Sequence, residues 1–228
     1  DITNSGTITA GGDAFFVDDT SDISGGVVNT GIISAGTDAF DVRANSNISG
    51  AINNSGSISA QVDAFQVNAS TISGGVTNSG TITGGTNAFN IINATAPITI
   101  TNSGLINGTV ILDDSTLALE GLAGRVTGAV SGGASSTVTV NGTFATENTF
   151  NVDNFGVSTG GRFTIGHGVM TTSGMSNAGT LAVVSGGTIS GDITSSGSIT
   201  NSGLIDGTVT LDDSTLALEG LAGRVTGA

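Results

Sequence analysis

Residues 76–82 read VTNSGTI, and the tripeptide Asn-x-Gly lies at the centre of this stretch. The tripeptide recurs at intervals of 25, 25, 24 and 24 residues, beginning at Asn4, Asn29, Asn54, Asn78 and Asn102. Later copies begin at Asn154, Asn177 and Asn201, and we interpret the 52 residues from Asn102 to Asn154 as two rungs of 26. Because a fixed period of roughly 20 to 50 residues is typical of repeat architectures, the sequence predicts about nine stacked rungs of 24 to 25 residues.

Apolar residues lie at fixed distances from each Asn and form columns when the rungs stack. One column precedes the Asn by two residues: Ile2, Val27, Ile52, Val76, Ile100, Met175 and Ile199. A second follows the Gly by two residues: Ile8, Ile33, Ile58, Ile82, Ile106, Leu181 and Ile205. A third contains Phe15, Phe40, Phe65 and Phe89, followed two residues later by Val17, Val42, Val67 and Ile91, and a fourth contains Ile23, Ile48 and Ile72.

Apolar and polar residues alternate within each of these segments, which is the pattern of half-buried strands. Asp41, Gln66 and Asn90 fall on the outward side of the Phe strand. The pattern predicts an all-β solenoid of triangular section, with three short strands per rung and one apolar core.

The composition limits what such a solenoid can bind. Four Arg and no Lys face eighteen acidic residues, which gives a formal net charge of -14. This balance argues against nucleic acid as a partner and against an anionic membrane surface. No apolar run is long enough to cross a membrane, so we expect no membrane insertion by this segment. There is no Cys for disulfide or thiol chemistry.

The Asn column is interpreted as structural. Asn tolerates strained turn dihedrals, and its amide can bond to the Asn of the next rung as in a stacked amide ladder. The sequence therefore predicts a ladder of side-chain amides along one corner.

Several motifs resemble those of bacterial autotransporter passenger domains. They are NSGTIT at 4–9 and 78–83 and its variants, Asp-Ala-Phe at Asp13, Asp38 and Asp63, ISGGV at 23–27 and 72–76, LDDSTLALEG from Leu112, and SSTVTVNG from Ser135. The resemblance covers nearly the whole chain. It implies a right-handed parallel β-helix exposed outside a Gram-negative cell, often adhesive or part of a surface layer or fibre.

We treat residues 1–228 as one solenoid domain with regular rungs over 1–101 and less regular rungs over 102–200. Residues 201–228 repeat residues 102–129 at 26 of 28 positions. The chain also begins inside the pattern, since 1–6 parallels 192–197. We expect both ends to be uncapped and to continue by stacking on another chain or on further rungs.

No catalytic site is predicted. The carboxylates recur in phase with the repeat, whereas an active site should interrupt it. The only mixed chemistry lies in 147–167, where Glu147, Asp153, Arg162 and His167 occur. A lone His between two glycines is more typical of a solvated turn, so we expect no enzyme, and in particular no polysaccharide-acting one.

Calcium is the cofactor that the sequence leaves open. Asp13, Asp38 and Asp63 should stack one rung apart, at about 4.8 Å. Further acidic groups are Asp18, Asp19 and Asp22, the pair Asp113 and Asp114, and its copy Asp212 and Asp213. The alternative is that these side chains cap turn amides. No metal or cofactor residue is assigned on this basis.

Ice binding is a further alternative, since it requires a flat array of outward Thr. Thr7 and Thr81 fit, but Ile32 and Ser57 take the same place in the rungs between. The sequence favours an extracellular structural element, a stalk or filament module that stacks head to tail. The alternative is a ligand-binding adhesin that recognises a host or neighbouring cell surface, and Phe16 is the one outward aromatic residue near the repeats.

Overall fold

The computed structural model describes residues 1–122, 124–220 and 223–227. Every regular element in these ranges is a β-strand, and neighbouring strands pair in parallel from one turn of the chain to the next. The predicted parallel β-helix is confirmed, with the predicted right-handed coil. Across the described residues there is no helix long and apolar enough to cross a membrane.

The strands are short, and most contain two to four residues. In chain order they are β1 (Ile2–Asn4), β2 (Thr7–Ala10), β3 (Phe15–Val17), β4 (Asp22–Ile23), β5 (Val27–Asn29), β6 (Ile32–Ala35), β7 (Phe40–Arg43), β8 (Asn47–Ile48), β9 (Ile52–Asn54), β10 (Ser57–Ala60), β11 (Asp63–Asn68), β12 (Thr71–Ile72), β13 (Val76–Asn78), β14 (Thr81–Ile92), β15 (Thr99–Asn102), β16 (Leu105–Leu112), β17 (Thr116–Leu119), β18 (Arg125–Val126), β19 (Val130–Gly132), β20 (Thr137–Val140), β21 (Thr143–Thr146), β22 (Phe150–Val157), β23 (Arg162–Ile165), β24 (Val169–Asn177), β25 (Thr180–Val183), β26 (Thr188–Ser190), β27 (Ile193–Ser195), β28 (Ser198–Asn201), β29 (Leu204–Asp206), β30 (Val209–Leu211), β31 (Thr215–Leu218) and β32 (Arg224–Val225).

Three faces run along the coil, and each has one inward column of apolar side chains. The first face holds Ile2, Val27, Ile52, Val76, Ile100, Leu117, Val138, Phe155, Met175, Ile193 and Val209. The second holds Ile8, Ile33, Ile58, Ile82, Ile106 and Val126, and after a break in the sheet Phe144, Phe163, Leu181, Ile199 and Leu216. The third holds Phe15, Phe40, Phe65, Phe89, Val110, Val130, Phe150, Met170, Ile189, Ile205 and Val225.

The first four turns match the predicted columns throughout. The column of Ile23, Ile48 and Ile72 forms a small separate sheet of two-residue strands, so these turns carry a fourth strand. The four Phe rings of the third face stack nearly parallel, with centroids 4.6, 4.8 and 4.7 Å apart. Such close packing of buried rings adds to the stabilisation from apolar burial.

The predicted amide ladder is also confirmed. Asn4 Nδ2 donates to Asn29 Oδ1 at 2.8 Å, and the same bond at the same distance continues through Asn54 and Asn78 to Asn102. All five side chains are buried. The ladder ends there because Leu119 takes the next place in the register.

The predicted register is wrong in the second half of the chain. The turns after Ile100 shorten, and the next three first-face intervals are 17, 21 and 17 residues instead of two rungs of 26. Asn154 therefore lies beside Thr137 and not in the amide ladder. Ile199 and Asn201 belong to the second face and Ile205 to the third, each one face away from its predicted column.

The near-identical copies 102–129 and 201–228 occupy different faces. Ile106 lies on the second face, and its copy Ile205 lies on the third. Leu117 lies on the first face, and its copy Leu216 lies on the second. The described part of the copy is thus rotated by one face of the triangle, and its column residues still point inward.

Candidate functional site

The acidic column lies where the chain enters the third face, and its carboxylates cap backbone amides of the following turn. Asp13 Oδ1 accepts from the Asp38 amide at 3.1 Å, and Asp38 Oδ1 accepts from the Asp63 amide at 2.8 Å. The hydroxyl of Thr37 also donates to Asp13 Oδ1. This is the capping role that was the alternative to metal binding.

Asp63 is fully used by neighbouring side chains. Its Oδ1 accepts from the amide and the side chain of Asn87, and its Oδ2 accepts from Asn90 at 2.8 Å. Asp63 therefore completes the caps of the acidic column, and both of its oxygens accept hydrogen bonds.

Asp41 joins this column from the outward side of β7, and sequence reasoning missed it. It lies between Phe16 on the preceding turn and Gln66 on the following turn. Its position lies on the outward side of the strand, as the alternation predicts, but only 4% of the residue is exposed. The signal available in the sequence was the pair Asp38 and Asp41, three residues apart beside a column of Asp.

Arg43 covers Asp41. Its Nη2 lies 2.6 Å from Asp41 Oδ2, and its Nε lies 3.9 Å from Asp18 Oδ2. The guanidinium carbon is 4.6 Å from the centroid of the Phe16 ring, which is 55% exposed. The predicted outward Phe16 is confirmed, and it forms a cation–π contact above the buried carboxylate.

Asp13, Asp38 and Asp41 form a compact group of carboxylates. One oxygen from each lies within 4.8 Å of one oxygen from each of the others, and no other group of three potential ligands this close occurs in the described part of the chain. Arg43 balances one of the three charges. The group, which we call the acidic cluster, therefore retains two negative charges when all three carboxylates are ionised.

Two of the three carboxyl groups in the acidic cluster, those of Asp41 and Asp38, have raised pKa values. The pKa of Asp41 is raised to about 6. Burial is the largest cause, the charge of Arg43 opposes it, and the nearby carboxylates of Asp13, Asp38 and Asp18 add to it. Burial also raises the pKa of Asp38, an effect that the Asp63 amide opposes and the carboxylates of Asp63 and Asp13 reinforce. Both shifts mark a place where negative charge is incompletely compensated.

The other acidic candidates form no comparable group. Asp18 Oδ1 accepts from the Asp19 amide at 2.8 Å in a turn where Asp19 has a φ of 59°. Asp114 and its copy Asp213 also have positive φ values, 48° and 46°, typical of turn residues. These carboxylates, with Asp113 and Asp212, belong to turns, and Asp22 begins the exposed end of β4.

The residues of 147–167 are not brought together. Glu147, Arg162 and His167 are exposed, and no hydrogen bond or ion pair joins any two of them or Asp153 within the described residues. Asp153 instead bonds to its own corner: the Ser173 side chain and then the Ser135 amide lower its pKa. The structure offers no shared site for these four side chains.

The outward row of the second face alternates in chemistry. Thr7, Ile32, Ser57, Thr81 and Leu105 succeed one another in register. This is the interrupted Thr row that the sequence predicts.

Comparison with known protein families, with curated proteins and with solved structures finds no match. The solenoid fold implied by the resemblance to autotransporter passengers is present, and none of these comparisons links the chain to that class.

Proposed function

We propose that this chain is an extracellular structural protein, a stalk or filament module that stacks head to tail on copies of itself. The observation that carries the proposal is that the same three apolar columns run from the first described turn to the last, so a turn of one copy can rest on a turn of another. An acidic, cysteine-free and lysine-free surface suits export and keeps the sides of such a rod soluble.

The two end turns present the same three columns. One end offers Ile2, Ile8 and Phe15, and the other offers Val209, Leu216 and Val225. These six residues are only partly buried, whereas the interior members of the same columns are fully buried. Stacking one end on the other would place each of the three columns of one copy on the corresponding column of the next.

The last described turn also exposes inward positions. Leu211 is 43% exposed and Leu218 is 56% exposed, while their equivalents Ser195 and Asn201 in the preceding turn are buried. A covering turn, from another copy or from further residues of a longer polypeptide, would bury these side chains and pair with the strands of this turn.

The geometry of such a contact favours open assemblies. The two ends are different surfaces, so the contact is heterologous and propagates along the axis instead of closing as a dimer. Each copy carries a formal charge of -14, so screening by salt should promote association.

Two Leu to Glu variants test the proposal with the same chemical change. Leu218→Glu places a charge on the axial surface, and Leu122→Glu places one on a lateral turn where Leu122 is 87% exposed. Light scattering and sedimentation at about 10 to 500 μM protein and 0.15 M salt should show rods for the parent chain and Leu122→Glu. Leu218→Glu should need at least about tenfold more protein, with an unchanged circular dichroism spectrum.

A parent chain that stays monomeric throughout this range would refute head-to-tail stacking. Equal loss of association in both variants would show that contacts on the sides, and not the axial surfaces, hold the copies together. Electron microscopy then distinguishes rods one solenoid wide from lateral bundles.

A further inference from the structure

We propose that the acidic cluster of Asp13, Asp38 and Asp41 is a calcium site, with the side chain of Gln66 at its border. This inference is independent of the proposed stacking function. It differs from the sequence expectation, because Asp41 replaces Asp63 as the third ligand.

The first observation is the buried acceptor at the centre of the site. Asp41 Oδ1 has no hydrogen-bond partner, although only 4% of Asp41 is exposed. Its other oxygen, Oδ2, forms the ion pair with Arg43. Because an unsatisfied buried carboxylate oxygen is costly, such an atom calls for a donor or a cation.

The second observation is that the adjacent turn repeats the deficit. Gln66 occupies the same outward position as Asp41, one turn further along, and its Oε1 is also buried without a partner. These two are the only buried side-chain oxygens or nitrogens of this kind among the described residues. Two neighbouring acceptors without donors point to a shared cation, because one cation can bind several oxygens at once.

The remaining ligands are positioned by the capping bonds. Asp13 and Asp38 each accept backbone amides through Oδ1, and within the described residues their Oδ2 atoms receive no hydrogen bond. Capping thus fixes the direction of both carboxylates and leaves one oxygen of each for a ligand. All oxygens are hard donors, and Ca²⁺ prefers such ligands with water completing the shell.

The spacing favours Ca²⁺ over Mg²⁺. Two oxygens on one Ca²⁺ can be at most about 4.6 to 5.2 Å apart, twice the usual ligand distance, whereas Mg²⁺ allows only about 4.2 Å. The three carboxylates span up to 4.8 Å. Only one pair of these oxygens can lie on opposite sides of an ion, and at the full separation that pair fits Ca²⁺ and is too wide for Mg²⁺, which also demands near-ideal octahedral geometry.

Arg43 is a built-in competitor at this site. It neutralises one carboxylate and approaches Asp18 as well, so removing its charge should strengthen cation binding. A rise in Ca²⁺ affinity on removal of this charge would distinguish a calcium site from a cluster whose charge is compensated by Arg43 alone.

The test is calorimetric titration of the whole chain with CaCl₂ at pH 7.5 in 0.15 M NaCl. We expect one saturable ion with a Kd of about 10⁻⁴ to 10⁻³ M, as in extracellular calcium modules, and Mg²⁺ at least about tenfold weaker. Asp41→Asn should weaken Ca²⁺ at least about tenfold. Asp114→Asn, the same change at an exposed turn, should leave the affinity unaltered, and Arg43→Gln should raise it about twofold or more.

Amide chemical shifts in nuclear magnetic resonance spectra locate the ion and show that each variant is folded. Shifts confined to residues near 13, 38 and 41 support the site. Three results would each overturn it: non-saturable binding, equal affinity in Asp41→Asn and Asp114→Asn, or weaker binding in a folded Arg43→Gln. Either of the first two would show that Ca²⁺ is attracted only as a diffuse counterion to an acidic protein.

Discussion

The buried amide ladder gives the sharpest prediction, through Asn54→Asp. Asn54 Nδ2 donates to Asn78 Oδ1 at 2.8 Å, to the Thr81 carbonyl at 3.1 Å and to the Gly56 carbonyl at 3.3 Å. A carboxylate has nearly the same shape but donates no hydrogen bond, so all three bonds are lost. A carboxylate oxygen then lies against three other acceptor oxygens. At a net value of about 0.5 to 1.5 kcal/mol for each bond, the loss is about 1.5 to 4.5 kcal/mol before any cost of burying the charge.

Asn53→Asp is the matched control, because Asn53 lies next to it on β9 with its side chain exposed. Urea unfolding followed by circular dichroism at pH 7 should show a loss of at least about 1.5 kcal/mol for Asn54→Asp and less than about 0.5 kcal/mol for Asn53→Asp. Burial among acceptors should raise the pKa of the new carboxyl, so the difference should shrink as the pH falls towards 4. Equal losses in both variants at pH 7 would refute the idea that the ladder stabilises this corner.

Two further variants test packing and protonation. Ile58→Asp puts a charge into a fully buried second-face position and should lower the free energy of unfolding by at least about 3 kcal/mol in urea. Ser59→Asp, on the outward side of the same strand, should lower it by less than about 1 kcal/mol. Adding a chelator to the parent chain should also lower it by less than Ile58→Asp does. With a chelator present, Asp41 should stabilise the fold below about pH 4, and this stabilisation should disappear as the pH rises through about 6, since its folded pKa is raised. Asp41→Asn should therefore flatten the fall in melting temperature between pH 4 and 7, and an unchanged profile would contradict the raised pKa.

The first hundred residues could be predicted from sequence because several signals agree there. The ladder from Asn4 to Asn102, the four Phe residues and the strand alternation all specify one period. A shift by one rung or by one residue would break the amide ladder or expose the Phe column. Local consistency of this kind defines both the period and the face of each residue.

The acidic cluster could be predicted only in part. Asp13 and Asp38 follow from the repeat, but Asp41 is buried where Phe16 of the preceding turn and Arg43 of its own strand lie beside it. An outward position in one rung is normally solvated, and a single unusual residue in the preceding turn changes that. Burial of this kind depends on the register and on side-chain direction, which composition and spacing do not supply.

The near-identical copies explain why the second half resisted prediction. Ile106 and Ile205 have almost the same neighbours in sequence, yet they lie on different faces because the turns before them differ in length. Alternation predicts whether a residue points inward. It does not predict which face the residue belongs to, because the three faces have chemically similar columns. Where the amide ladder and the Phe stack are lost, turn length alone sets the face. After a rotation by one face the column residues of the copy, such as Ile205 and Leu216, still stack on inward columns, so a duplicated block can be accepted in a solenoid without matching the original register. This tolerance permits growth along the axis, where each new turn needs only three apolar columns to rest on.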